Sequence, residues 1–224
     1  MQGLKYTVDI VFCIDATGSM GHLINEVKDG ALRFYEDLTK LMLEKDKYID
    51  TLRVKTIAFR DFYVDGDDAI TESKFYNLPD EKNEFSKFVA SLTADGGGDE
   101  PENGLESLSM AMKSDWNKDG DKRRQVIVIW SDASAHKLEY KSDSKPSNYP
   151  QDMPSNFDEF SDLWEGQSLM NASSKRLLIF APDAYPWSDI GNYFSNAIHF
   201  PSKAGNGLTD VEYNEILNAI SNSI

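Results

Sequence analysis

Three oxygen-bearing side chains occur at alternate positions near the start of the chain: Asp15, Thr17 and Ser19, with Gly18 between the two hydroxyls. A tight turn, which Gly18 permits because it has no Cβ, could aim all three at one point. Oxygen ligands that converge in this way suit a hard divalent cation such as Mg²⁺, Mn²⁺ or Ca²⁺. A simpler alternative is that these residues only cap the helix that follows. This segment alone favours neither interpretation.

Two more carboxylates stand at comparable points of the chain. Asp132 ends the apolar run of residues 124–132, and Asp99 follows three glycines at 96–98, just before a predicted helix. In open parallel sheets, ligands bind at the carboxyl ends of the strands, so these side chains should meet Asp15 at one edge. A helix cap does not require separated donors to meet. The combined pattern therefore predicts a cation site.

The elements that would position these residues alternate between strands and helices. Long apolar runs predict parallel strands covered on both faces, and apolar residues spaced by three and four predict amphipathic helices. This order predicts an α/β fold with a doubly wound, mostly parallel central sheet, one antiparallel edge strand at 69–77 and helices on both faces. The predicted strands are 7–14, 52–59, 69–77, 124–132, 177–181 and 197–200, and the main helices are 20–44, 80–92, 101–112, 157–172 and 209–223.

Composition narrows the class of protein. The 224 residues, 40% of them hydrophobic, fit a single domain over residues 1–224, and no linker divides them. A net charge of −15 opposes binding to nucleic acid or to anionic lipid. The one cysteine, Cys13, lies in an apolar strand and allows no internal disulfide. No segment resembles a membrane span or a signal peptide, which predicts a cytoplasmic protein without membrane insertion.

The sequence resembles a known family at these same residues. Asp15-Ala16-Thr17-Gly18-Ser19 is similar to the Asp-x-Ser/Thr-x-Ser motif that opens the metal-ion-dependent adhesion site (MIDAS) of von Willebrand factor A domains. Asp132 matches that family's late Asp, which typically reaches the metal through water. The strand order and the long first helix extend the resemblance over nearly the whole chain. It implies a Rossmann-like fold and a divalent cation, Mg²⁺ first, with Mn²⁺ or Ca²⁺ as alternatives.

The glycine loop departs from the usual family pattern. Asp99 stands where the family usually has a Thr ligand, which makes the site more anionic. The hemicentin-like and α-kinase-linked members look similar in Gly-Gly-Gly-Asp-x-Pro-Glu and in Arg60-Asp61, which favours Asp99 as a ligand over Asp99 as a helix cap. Thr93, Glu100 and Glu102 are weaker alternatives. The predicted ligands are Asp15, Thr17, Ser19, Asp99 and Asp132.

The resemblance implies a protein-interaction module of the adhesion type. In that family the cation leaves one coordination position open, and an Asp or Glu of a partner protein fills it. Asp61 and His136 are predicted to bind at the rim, although a solvated loop position is the favoured alternative for His136. The loop 133–156 is long for a compact domain, and such loops are usually functional or disordered.

Two competing functions follow from the same residues. A metal-dependent phosphotransfer or hydrolytic enzyme could use a similar sheet, but the sequence has no P-loop and no complete Gly-x-Ser-x-Gly motif. A haloacid-dehalogenase-like enzyme needs a second Asp where Thr17 stands, and no His–carboxylate pair stands out as a general base. The sequence therefore predicts no enzyme. The other alternative is a domain of this fold whose metal site has degenerated.

Overall fold

The structure is a computed structural model that describes residues 5–98, 100–120, 122–202 and 213–224. Within these ranges seven strands form one sheet, and helices cover both of its faces. The strands are β1 (Lys5–Asp15), β2 (Tyr48–Phe59), β3 (Ile70–Glu72), β4 (Tyr76–Leu78), β5 (Lys122–Trp130), β6 (Lys175–Pro182) and β7 (Ala197–Ser202). The α-helices are α1 (Ile24–Glu44), α2 (Lys82–Ser91), α3 (Gly104–Met112), α4 (Phe157–Glu165), α5 (Trp187–Tyr193) and α6 (Tyr213–Ser223).

The sheet has the order β3-β2-β1-β5-β6-β7, and β4 pairs with β2. Strands β1, β2, β5, β6 and β7 run parallel, whereas β3 and β4 are both antiparallel to β2. The predicted antiparallel edge at 69–77 is thus present, divided into two short strands. The chain moves outward from β1 to β2 on one side and from β5 to β7 on the other. The carboxyl ends of β1 and β5 consequently form the switch point where such folds bind ligands.

Strand β1 lies in the middle of the sheet because both of its faces are apolar. Val8 and Ile10 belong to a core cluster that includes side chains of α1 and α6, whereas Val11 and Cys13 belong to a second cluster with side chains of α3. Successive side chains point to opposite faces of a strand, so a continuous apolar run is what a strand covered on both sides requires. This packing confirms the predicted α/β fold and fixes where β1 ends.

The helices differ from the predicted ones at their ends. A 3-10 turn, Gly18–His22, precedes α1, so the α-helix begins at Ile24 rather than at 20. Helix α4 ends at Glu165 instead of at 172. At this end of the helix, the fully buried side chain of Lys175 donates a hydrogen bond from its Nζ to Trp164 O. A cation at a helix carboxyl end is favourable because the last carbonyls carry partial negative charge. The predicted start of the last helix, 209–212, lies outside the described residues. None of the helices in the described ranges is both long and apolar enough to cross a membrane.

Candidate metal centre

The carboxylate of Asp15 connects the turn after β1 with the segment after β5. The side chain is fully buried, and its Oδ1 accepts hydrogen bonds from Thr17 N at 3.0 Å and from Thr17 Oγ1 at 2.6 Å. Its Oδ2 accepts a hydrogen bond from Ser131 Oγ at 2.7 Å. Sequence reasoning missed this role of Ser131, because only tertiary structure brings the end of β5 beside Asp15.

The two hydroxyls extend this connection to Asp132. Thr17 Oγ1 and Ser19 Oγ are 3.2 Å apart, and Ser19 Oγ donates to Asp132 Oδ1 at 3.0 Å. The structure therefore brings together four of the five predicted ligands at the switch point. Thr17 stands at the N-cap of the 3-10 turn without a side-chain capping bond, so the helix-cap interpretation does not explain this cluster. Asp99, the fifth predicted ligand, lies outside the described residues.

The donor set joins carboxylates to hydroxyls. Within the described ranges, no group of three or more His, Cys, Asp and Glu side chains has an arrangement that could hold a metal on its own. Two carboxylates and two hydroxyls are instead contributed by Asp15, Thr17, Ser19 and Asp132. Such an all-oxygen set suits a hard cation and is poorly suited to soft metals that prefer thiolates.

The glycine loop lies directly against this cluster. Gly18 N donates to Gly96 O at 3.1 Å, and Gly97 N donates to the carboxylate of Asp65, at 3.1 and 3.0 Å from its two oxygens. Gly96 and Gly97 both have positive φ, at 67° and 73°. A Cβ on Gly97 would lie 2.8 Å from Thr17 Cγ2, so only glycine fits there without displacing a predicted ligand. Asp65 was predicted only as part of a turn. Its carboxylate holds this loop in place by accepting a hydrogen bond from the backbone amide of Gly97.

Replacing Gly97 with Ala should therefore destabilise the domain by more than its backbone strain. Gly66 is a matched control because it also has positive φ, at 54°, but an added Cβ there meets nothing within 4 Å. Strain alone should cost about 1–2 kcal/mol in Gly66→Ala. Gly97→Ala should lose roughly another 1–3 kcal/mol from overpacking against Thr17. Urea denaturation measures both, and equal losses would contradict this packing.

Glu102 places another carboxylate beside the cluster. The residue is only 4% exposed, and its Oε2 is a buried atom with no hydrogen-bond partner among the described residues. A Cβ on Gly97 would lie 3.0 Å from Glu102 Oε1 as well as against Thr17, so both side chains approach the same face of the glycine loop. An unpaired buried carboxylate oxygen is expensive, and a cation is one of the few groups that can compensate for it.

The electrostatics of the cluster also fit a cation. Burial, with a smaller contribution from Asp132, raises the pKa of Asp15 to about 6. The pKa of Glu102 rises to about 8 because of burial first, and then because of the negative charges of Asp15, Asp61, Asp65 and Asp132. Carboxylates that repel one another in a poorly hydrated site favour protonation or a bound cation. Sequence reasoning placed Glu102 among the weaker candidates, although its position just before α3 was visible.

Asp61 and His136 both lie close to Glu102. His136 N donates to Glu102 O at 2.8 Å, and His136 Nε2 lies 3.4 Å from Asp61 Oδ2. His136 is 6% exposed and its ring stacks on Tyr140 with centroids 4.0 Å apart, so the solvated loop position favoured for it is wrong. Burial raises the pKa of Asp61, but the hydrogen bonds with His136 and Tyr63 N and the positive charge of Lys141 together outweigh burial and hold the pKa below its usual value.

The His136–Asp61 pair is thus formed by folding, although no such pair stands out in the sequence. Both side chains line an open cavity whose wall also includes Pro101, the residue before Glu102. The wall of this cavity also contains Tyr63, Val64, Ser134 and Tyr140. The structure therefore places both predicted rim residues next to Glu102, outside the hydrogen-bonded cluster of Asp15, Thr17, Ser19 and Asp132.

The long loop after β5 is held down beside this cavity. Tyr149 OH donates to Glu106 Oε1 at 2.7 Å, and Tyr63 OH donates to Tyr140 O at 2.8 Å. The ring of Tyr149 also packs on Phe62 with centroids 5.2 Å apart. Loop 133–156 is therefore ordered, so the disordered alternative is wrong, and a function of the loop stays a prediction.

Known proteins resemble the chain in both sequence and fold. A sequence profile of the von Willebrand factor A domain matches residues 9–145. Alpha-protein kinase vwkA of Dictyostelium discoideum is 30% identical over 145 residues, which are 64% of this chain and 21% of that protein. The chain therefore matches only a minor part of this relative's length.

Two crystal structures of the pilus adhesin SpaC of Lactobacillus rhamnosus GG share the fold, with TM-scores of 0.58 and 0.56. Each is 13% identical and covers 96% of this chain and 30% of the adhesin chain. At that identity the similarity establishes the fold alone, whereas the sequence profile covers more than half of the chain. The chain belongs to the von Willebrand factor A domain family.

Proposed function

We propose that the domain is a metal-dependent protein-interaction module. Domains of this family are typically protein-interaction modules. A divalent cation, Mg²⁺ first, would be held by Asp15, Thr17, Ser19 and Asp132, with Asp99 as the further ligand that the sequence predicts. The cation would then bind an Asp or Glu of a partner protein. The observation that carries this proposal is the connected oxygen cluster at the switch point.

The exposure of the cluster fits the capture of an external carboxylate. Asp15 and Asp132 are buried at its base, whereas Ser19 is exposed at its mouth. Mg²⁺ usually keeps several water ligands, and a partner's carboxylate can replace one of them. The bound cation would supply positive charge at the surface of an otherwise acidic domain. The residues of this chain would hold and orient the cation, and the partner's acidic side chain would complete its coordination.

Catalysis is not part of the proposal. The relative vwkA is named as a protein kinase, but the matched segment is 21% of that protein. The His–carboxylate pair that the described residues form at the site joins His136 Nε2 to Asp61 Oδ2, and the imidazole ring is stacked on Tyr140. We infer that this pair supports the wall of the cavity and that the matched segment serves binding.

Calorimetric titration with MgCl₂, MnCl₂ and CaCl₂ tests the metal site directly. Ser19→Ala removes one donor at an exposed position and should weaken cation binding roughly tenfold without unfolding the domain, since affinity follows the ligand set. Ser173→Ala is the matched control because that exposed hydroxyl donates to Asn171 Oδ1 just before β6, at the opposite end of the sheet from the cluster. Absence of binding heat from all three cations would favour the degenerate-site alternative instead.

A peptide-display selection in MgCl₂ tests the interaction itself. Peptides that elute with a chelator should be enriched in Asp or Glu and should fail to bind the Ser19→Ala variant. The chemical reason is that only an anionic oxygen can add usefully to a hard cation that is already held by oxygens. Cation binding without such enrichment would leave a structural metal site and would contradict the interaction function.

A further inference from the structure

We propose that Arg60 is the positioning residue that assembles the metal centre by holding three loops together through their carbonyl groups. The inference rests on the proposed metal site and concerns how the chain keeps its parts in place. Arg60 immediately follows β2, which ends at Phe59, and it is not itself a candidate ligand.

The guanidinium group of Arg60 makes three hydrogen bonds to three different segments. Its Nε donates to Ala16 O at 3.0 Å, its Nη1 to Asp68 O at 2.6 Å and its Nη2 to Thr93 O at 2.8 Å. Ala16 lies between the candidate ligands Asp15 and Thr17, and Thr93 opens the segment that leads into the glycine loop. One side chain therefore sets the distance between the ligand turn and the loop that lies over it.

The backbone of Arg60 gives this side chain a fixed origin. Arg60 N donates to Ala69 O at 2.8 Å, and Arg60 O accepts from Asn103 N at 3.2 Å. Asn103 follows Glu102 directly, so the same residue also anchors the segment that carries the buried carboxylate. Segments bearing Asp15, the glycine loop and Glu102 thus all meet at one arginine.

Arginine has the chemistry that this task requires. Its planar guanidinium carries five N–H donors in a fixed fork, whereas a lysine ammonium is a compact point charge that cannot reach three separated carbonyls in the same way. Among the ion pairs found in the described ranges, none involves Arg60. The hydrogen bonds that it makes there are therefore directed at backbone oxygens.

Loss of Arg60 should loosen the site more than it destabilises the fold. Two backbone bonds also connect the turn with the loop, from Asp95 N to Ala16 O at 3.0 Å and from Gly18 N to Gly96 O at 3.1 Å. Asp65 holds Gly97 N independently. These bonds would keep the glycine loop near the ligand turn, but the distance between the loop and the turn would no longer be fixed.

The sign of the effect separates positioning from simple electrostatics. Arg60 places a positive charge one residue from two candidate cation ligands, because it binds Ala16 O. Like charges repel, so removing it should tighten cation binding if Coulomb interaction alone mattered. Positioning predicts the opposite, namely weaker binding of the cation when the charge is removed.

The test compares Arg60→Met and Arg60→Lys with wild type by calorimetric titration with MgCl₂ and MnCl₂. We expect Arg60→Met to weaken cation binding roughly 10- to 100-fold, the usual effect of removing an outer-shell partner. Arg60→Lys should recover little of it. Arg176→Met is the matched control, because Arg176 also donates to backbone carbonyls, Ser173 O and Lys175 O, at the opposite end of the sheet. The cation affinity of Arg176→Met should remain within about twofold of that of the wild type.

Hydrogen exchange of the metal-free proteins gives a second readout. The amides of Asp95 and Gly97 should exchange faster in Arg60→Met than in Arg176→Met, since looser loops open more often. Unchanged or tighter cation binding by folded Arg60→Met would overturn the inference, as would unchanged exchange. Failure of wild type to bind any cation would instead remove the proposed function and this inference with it. If Arg60→Met does not fold, Arg60→Gln, which keeps one amide donor, replaces it with the same expected signs.

Discussion

The affinity of the domain for Mg²⁺ is expected to fall by roughly tenfold per pH unit between pH 8 and pH 6, and more steeply below pH 6. In the absence of a cation, the pKa of Glu102 is raised to about 8 and that of Asp15 to about 6, in both cases chiefly by burial. A cation that binds there must displace one proton between these two values and two protons below the lower one. Titration of the wild-type domain with MgCl₂ across this range measures the slope.

The same pKa values predict how the metal-free domain responds to pH. Both carboxyl groups have pKa values above their usual values of 3.8 and 4.5, so the folded state binds these protons more tightly than the unfolded state. Their stabilising contribution is therefore complete below about pH 4 and is lost as the pH rises through about 6 and then about 8. A cation that replaces the protons should raise the melting temperature more at pH 8 than at pH 5.5. An equal rise at both pH values would show that no proton is displaced.

Local patterns were sufficient to predict the fold and to predict that Asp15, Thr17, Ser19 and Asp132 lie close together. The continuous apolar run of β1 could only be satisfied by a strand covered on both faces, which fixed where Asp15 lies. Thr17 and Ser19 follow within four residues, so their convergence is decided by one turn. Asp132 needed one further step, namely that parallel strands end at the same edge. Its hydrogen bond with Ser19 Oγ agrees with that step.

Roles that depend on tertiary contacts could not be predicted in the same way. In the sequence, Arg60 lies at the exit of a strand and Asp65 lies in a turn. Nothing in the local sequence shows that Arg60 donates to Thr93 O or that Asp65 accepts from Gly97 N. His136 was assigned to a solvated loop because most loop residues are exposed. Its burial depends on Tyr140, four residues later, and on Asp61, which lies 75 residues earlier. Loops that approach one another across a sheet edge carry no periodic signal that could reveal these pairs.

Replacing Glu102 with Gln is expected to stabilise the metal-free domain at pH 8 and to weaken its cation binding. Gln has nearly the same shape but no charge, so it removes the cost of burying a charge and, after that, the repulsion from Asp15 and Asp132, both of which raise the pKa of Glu102. The gain should be about 1–3 kcal/mol in the free energy of unfolding, since each unit of pKa shift corresponds to about 1.4 kcal/mol. Urea denaturation in the presence of a chelator measures it. A loss of stability at pH 8 would contradict this account.

Cation binding by Glu102→Gln should be at least roughly tenfold weaker at pH 8, and the pH dependence between pH 8 and pH 6 should become flat. Glu106→Gln is the matched control, because Glu106 is an equally buried carboxyl on α3 whose pKa is also raised by burial and whose Oε2 likewise has no hydrogen-bond partner among the described residues, but whose Oε1 accepts from Tyr149 OH. That variant should keep the wild-type affinity and slope. If Glu102→Gln kept them too, the unpaired oxygen of Glu102 would not face the cation. Cation binding would then depend on Asp15, Thr17, Ser19 and Asp132 without Glu102. The cation affinity would in that case start to fall only near the pKa of Asp15, at about pH 6.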